Sequence, residues 1–276
     1  MGLLVIVSNL EAPTRDAIAQ AARLAGKIDA ALRVLAPMPD PAGALIYAGP
    51  EVMVGALARG EIQNAQTALI ADLSEMTTQI CAEAGLSEQK YQFEHQIGAP
   101  PILVAHAAIL ADATILPAHA ASARDWLNTS FEKLLMDSRL PLVLASVGAP
   151  GDGPAIIAWD GSPEAARAVR FHEGVYRQSS GVVIAQHEGD LSSFREGEAA
   201  DPARLEAWLS RRGIVSERAT LKGEVAAGLL DLAEARSASL LVMGAYGHSR
   251  AGQFLFGGVT RTMLRTDERP PLALAH

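Results

Sequence analysis

Short apolar runs alternate along this chain with longer stretches in which apolar positions recur at helical spacing. Residues 3–36, LLVIVSNLEAPTRDAIAQAARLAGKIDAALRVLA, read as an apolar run, a polar turn containing Pro13, an amphipathic helix and a second apolar run. Residues 155–186, AIIAWDGSPEAARAVRFHEGVYRQSSGVVIAQ, repeat that order, so the β-α-β unit occurs twice. Further on, DATILPAHA (112–120) parallels SLLVMGAYG (239–247), and LPLVLA (140–145) parallels PPLALA (270–275). Between these anchors lie the alternating runs YQFEHQI (91–97) and IVSERATL (214–221), followed by helical patterns starting at Pro100 and Glu224. Each copy therefore reads β-α-β-α-β-α-β-α-β, the pattern of an α/β domain whose parallel sheet is covered on both faces and doubly wound. The pattern predicts a first domain over 1–146 and a second over 155–276, joined by a Gly- and Pro-rich linker at 147–154.

The copies differ between Pro37 and Lys90, an interval about twice the corresponding one in the second copy. Much of the excess reads as a long extra helix, about 51–84, with Leu57, Ile62, Ala65, Leu69, Leu73, Met76 and Ile80 at helical spacing. It reads as cover for the core, with a partner-binding arm as the alternative. The segment before it, from Asp40 to Gly60, is too apolar for an ordinary loop and suits a cover over a cleft or an interface. The final strands, such as PLVLAS, are apolar sheet edges, a liability best met by pairing the two domains within the chain; pairing two chains as a homodimer is the alternative.

Composition narrows the function classes. With 276 residues, 49% of them hydrophobic, the chain can bury a sizeable core. No stretch approaches the ~20 apolar residues that span a bilayer, so no membrane association is expected. The opening MGLLVIVSNLEAP has no basic leader and no small-residue cleavage site, so a cytoplasmic location is expected. The single cysteine, Cys81, reads as a small buried hydrophobe. The net charge is −8, with 9 basic against 15 acidic residues up to Gly148 and 14 against 16 after it, so neither half has the basic excess of a nucleic-acid binder. The seven histidines are scattered without metal-ligand spacing, and no metal site is expected.

In a doubly wound sheet, ligands bind beyond the C-terminal strand ends where the winding direction reverses, which singles out the loops after strands one and four. In the second copy strand four runs into Gly244-Ala-Tyr-Gly247-His248-Ser-Arg, followed by Gly257, Gly258, Val259 and Thr260 at a helix start, with the spacing G-x-x-G-x9-G-G-V-T. Gly244 and Gly247 would let backbone approach a ligand, and Gly257 to Thr260 would present free N–H groups and a hydroxyl to a polyphosphate. After strand one, in AWDGSPEAARA, Asp160 can accept hydrogen bonds from a base or ribose, or serve only as a helix cap, and Gly161 or Ser162 can start the helix. Arg261 and Arg265, four residues apart, could neutralise phosphate or form one solvated helix face. His248 and Tyr246 flank the loop, and Trp126, Trp159 and Trp208 read as packing residues.

AWDGSPEA after strand one, paired with GAYGHSRAGQFLFGGVT after strand four, resembles the universal stress protein family, as a tandem member. The resemblance is strong over 155–276 and weak over 1–146. It implies two tandem five-stranded parallel sheets of order 3-2-1-4-5, and ATP binding through Asp160, Gly244, Gly247 and Gly257, with Mg²⁺ accompanying the nucleotide. Gly258 stands where the family pattern has Ser or Thr, so one hydroxyl contact, typically ~1 kcal/mol, is missing; Thr260 can partly replace it. The first copy departs further. Ser8-Asn9 stand at the Asp160-Gly161 positions, Pro117-Ala118-His119-Ala120 stand at the glycine pair, and Asn128-Thr129-Ser130 stand at the final motif, where they could cap a helix or bind an anion.

The expectation is a noncatalytic stress-response protein, responsive to an adenine nucleotide through its second domain. A nucleotide-independent scaffold of the same fold is the alternative, and a weak ATPase is a more distant one. No H-x-G-H, S-G-G-x-D-S or Walker loop is present, and enzyme activity is not expected.

Overall fold

The computed structural model describes residues 2–41, 52–189, 199–246 and 258–276, the backbone alone over 52–59. The first half contains β1 (Gly2–Ile6), α1 (Ala12–Ile28), β2 (Ala31–Pro39), α2 (Val52–Glu83), β3 (Tyr91–Gly98), α3 (Pro100–Ala108), β4 (Ala113–Leu116), α4 (Trp126–Glu132) and β5 (Leu142–Leu144). The second contains β6 (Ala155–Ala158), α5 (Pro163–Phe171), α6 (Glu173–Tyr176), β7 (Val182–His187), α7 (Pro202–Ser210), β8 (Ser216–Leu221), α8 (Val225–Ala235), β9 (Leu240–Gly244), α9 (Gly258–Arg265) and β10 (Leu272–Ala275).

Each half is a five-stranded parallel sheet, ordered β3-β2-β1-β4-β5 in the first and β8-β7-β6-β9-β10 in the second, so both follow 3-2-1-4-5. The two edge strands then meet. β5 pairs antiparallel with β10, Leu142 opposite Leu274 and Leu144 opposite Leu272, and the halves form one ten-stranded sheet. Neither apolar edge is left open at the seam. Because side chains alternate along a strand, Leu3 and Val5 of β1 enter the core on one face while Leu4 and Ile6 enter the other. Both core layers run through both halves.

The linker is packed rather than loose. Gln20 of α1 accepts from Ser146 N at 3.1 Å and donates to Ser146 O and Gly148 O, Asp16 accepts from Gly148 N at 2.8 Å, and Gly153 N donates to Ser237 O at 2.8 Å. Arg269, just before β10, crosses the seam. It is 7% exposed, and its guanidinium donates to Ala145 O at 3.3 Å, Pro270 O at 3.2 Å and Ala118 O at 3.1 Å. Burial pulls its pKa down to about 10.

The long helix α2 lies beside α1 and over β2 and β3. Within 60–83 the C-terminal part is embedded: Leu73, Met76, Thr77, Ile80 and Cys81 are buried, whereas positions 60–72 are exposed or partly so. Cys81 is fully buried, and its thiol pKa is pushed up to about 11. In the apolar segment from Asp40 to Gly60, residues 42–51 lie outside the described residues. Among the described residues no helix is long and apolar enough to cross a membrane.

The first helices of the two halves sit differently. α1 lies over β1, β2 and β4, whereas α5 lies over β9 and β10, towards the seam. Both ends of α5 are held there. At its start the backbone of Glu164 and Ala165 presses on Gly244, where an added Cβ would stand 2.6 Å from Ala165 N. At its end the fully buried His172 places Nδ1 3.0 Å from Ala168 O and Nε2 3.2 Å from Leu142 O in β5 of the first half.

Candidate functional site

The site is built from strand ends of the second half. Ser162 caps α5, its Oγ accepting from Ala165 N at 3.1 Å, with Pro163 at the start of the helix, where a missing N–H costs nothing. Asp160 is therefore not the cap. Its Oδ1 accepts from Ser162 N at 2.8 Å, fixing the turn that leads β6 into α5. Across from it α9 begins at Gly258 and presents its first turn.

Between them lies a cavity of about 330 Å³, within the range of small-molecule sites. Its wall includes Asp160 and Glu164 on one side, Gly258, Val259 and Thr260 on another, and Ala185, His187, Leu221 and Leu229 at the ends of β7 and β8 and on α8. This is the crevice where the winding direction reverses, since β6 has β7 on one side and β9 on the other. Thr260 is 5% exposed. Glu164 pairs with Arg167 at 3.1 Å, which balances one of the two carboxylates. His187 Nδ1 accepts from Gly189 N and its Nε2 lies 3.0 Å from Gly223 O, so the ring holds two loops at the cavity rim.

Of the residues singled out in the sequence, Asp160, Gly244, Gly258, Val259 and Thr260 meet around this cavity. Gly247, His248 and Gly257 lie outside the described residues. Gly161 does not face the cavity. It sits at φ 75°, and an added Cβ would stand 2.4 Å from Ala200 N, so it admits the chain leading into α7. Gly244 also differs from expectation, because its bare side is taken up by the start of α5.

Tyr246 is the shared wall between this cavity and a cleft of about 530 Å³ between the halves. Arg261 and Arg265 line that cleft with Asn128 and Glu132 of the first half, not the candidate site. Burial, with the Glu132 charge second, pushes the Tyr246 phenol up to about 12. His187, at the end of β7, was not found from the sequence, because only the loops after strands one and four drew attention; within the loop after strand one, Trp159 was read as a packing residue and Glu164 was given no role.

Among the described residues the corresponding loops of the first half are built differently. Asn9 reproduces the turn made by Asp160, accepting from Glu11 N at 3.0 Å and Thr14 Oγ at 2.9 Å. Asp125, not Asn128–Ser130, caps α4, accepting from Leu127 N at 2.9 Å. Asn128 instead donates to Ala121 O and Ser130 to Trp126 O, so their polar atoms serve the local backbone rather than an anion. The loop after β4 is covered by Arg269, which bonds to Ala118 O.

Residues 154–270 match the family model described as "Universal stress protein family". No curated protein matches the chain significantly in sequence. Among solved structures, a universal stress protein from Archaeoglobus fulgidus is 16% identical with a TM-score of 0.66, the alignment covering 99% of this chain and 97% of that one. A protein of unknown function from Pseudomonas aeruginosa PAO1 (15% identical, TM-score 0.58) and a putative universal stress protein from Pseudomonas aeruginosa UCBPP-PA14 (14%, 0.55) each align over 99% of this chain and 92% of their own. At these identities the likeness shows the fold. Residues 154–270 are a universal stress protein domain, and the residues before them carry a second copy of its fold.

Proposed function

We propose that the second half binds an adenine nucleotide, ATP with its Mg²⁺, and that the protein is a noncatalytic, nucleotide-responsive member of the stress-response family. The observation that carries this reading is the cavity itself, bounded by the Asp160 carboxylate on one side and the N-terminus of α9 on the other. A carboxylate suits the hydroxyls of a ribose or the amine of a base, and a helix start suits phosphate. Gly258 leaves open space where a side chain would stand, so the anion has access to the helix backbone.

Calorimetry of the intact protein with Mg-ATP tests this. One saturable site per chain is expected, weakened at least tenfold in Asp160→Ala. Gly258→Ser, whose Cβ meets none of the described residues within 4 Å, is expected to tighten binding severalfold by adding about one hydroxyl contact. Absence of binding to millimolar ATP in both the native protein and Gly258→Ser overturns the proposal. It would favour the second reading, a scaffold that binds no nucleotide, for which the observation is that Gly244 is occupied by helix packing.

A further inference from the structure

The displacement of α5 towards the seam leaves a groove between α5 and α7, on the far side of α5 from the nucleotide cavity. It encloses about 480 Å³. Its walls are two indoles, Trp159 and Trp208, with the buried Val169 and Leu205 between them. Arg170 and Arg211 line it, both exposed, with the exposed Arg204 beside them, and among the described residues no acidic side chain lines it. In a chain of net charge −8 this is a local reversal of sign. The Trp208 ring is held by Arg212, whose guanidinium stands 3.7 Å from the ring centroid and is itself fixed by Glu173 at 3.1 Å.

We infer that this groove binds a planar aromatic acid, a two- or three-ring body carrying one carboxylate. Flat indole walls favour a flat aromatic partner over a flexible chain, through offset or edge-to-face contact. Two exposed guanidiniums in the lining select an anion, with the paired donors a carboxylate matches best. The groove adjoins the nucleotide cavity through Trp159, which lines both, but the assignment uses neither Asp160 nor α9.

The test is calorimetry on the full chain with 2-naphthoate as probe, beside 2-naphthalenemethanol as its uncharged counterpart and dodecanoate as a non-aromatic acid. One site per chain is expected for 2-naphthoate, with Kd of about 100 µM or tighter. The double variant Arg170→Glu/Arg211→Glu changes only exposed positions; it should keep its circular dichroism and weaken 2-naphthoate at least tenfold, while the alcohol binds both proteins alike. Asp160→Ala should bind 2-naphthoate as the native chain does, even if ATP binding is lost. No saturable heat to millimolar 2-naphthoate, equal affinity in the charge-reversed variant, or tighter binding of dodecanoate overturns the inference. So does heat on diluting the protein alone that disappears in the double variant, which would make the groove a contact between two copies of the chain.

Discussion

His172 ties α5 to the neighbouring half, and the tie has a protonation state. The neutral ring has a single N–H, which donates to Ala168 O or Leu142 O. Burial lowers its pKa from the ordinary 6.5 to about 4, the two backbone carbonyls opposing the shift. Between those values the unfolded chain holds a proton that the folded chain does not, so stability is full above the unfolded pKa and falls as pH drops towards 4. Each unit of that window is worth about 1.4 kcal/mol. Urea unfolding should show native stability dropping between pH 7 and pH 5, whereas His172→Gln, weaker at pH 7, should lose less over the same interval. Equal losses in both proteins would place the acid sensitivity elsewhere. None of this was legible in the sequence, where His172 is one of seven scattered histidines. The glycines were legible only in part. Spacing flagged Gly244 as a place of close backbone approach and offered Gly161 only as a helix start, but a bare glycine does not say what excludes its Cβ; the answers were the start of α5 at Gly244 and Ala200 at Gly161.

Periodicity located α2 within a residue at its ends, because apolar positions recur along its whole length. It did not reveal that positions 60–72 and 73–83 live in different surroundings. From Leu73 onward one side is buried against α1 and the sheet edge, while Ile62 is only half-buried; nearby, Gln66 reaches back to Pro39 O at 2.8 Å. That division depends on how far the sheet extends, which no local pattern records. Leu73→Ala should therefore cost about 2–5 kcal/mol, by lost transfer and the cavity left behind. Ile62→Ala should cost under about 1 kcal/mol. Denaturant midpoints of the two variants check this, and similar losses would mean that the exposed half of α2 is covered in solution.

The order of strands within each half followed from the family resemblance, and the alternation of strand and helix from the residues themselves. The seam itself was anticipated, as a pairing of the two final strands within the chain in preference to a pairing of two chains. Its antiparallel sense, the Arg269 crossing and the shift of α5 depend on where two distant segments meet, and leave no periodic mark. Separated from the first half, the second half would present β10 as an open apolar edge in which all four residues are now buried. The isolated segment 149–276 should accordingly self-associate, which light scattering would read as a dimer or larger species at micromolar concentration. A stable monomer would show that β10 does not need β5.

LPLVLA aligned with PPLALA sets Arg139 opposite Arg269 as the same position in the two copies. Arg269 is buried across the seam, while Arg139 is exposed at φ 51°. Two identical chains joined about a twofold axis must use each such residue twice, in mirrored duty. A fused pair is released from that rule: one arginine can become an internal strut while its twin drifts, and one crevice can stay open while the other is sealed. Continuity of the chain thus gives this molecule a sidedness that an assembly of equal subunits cannot have.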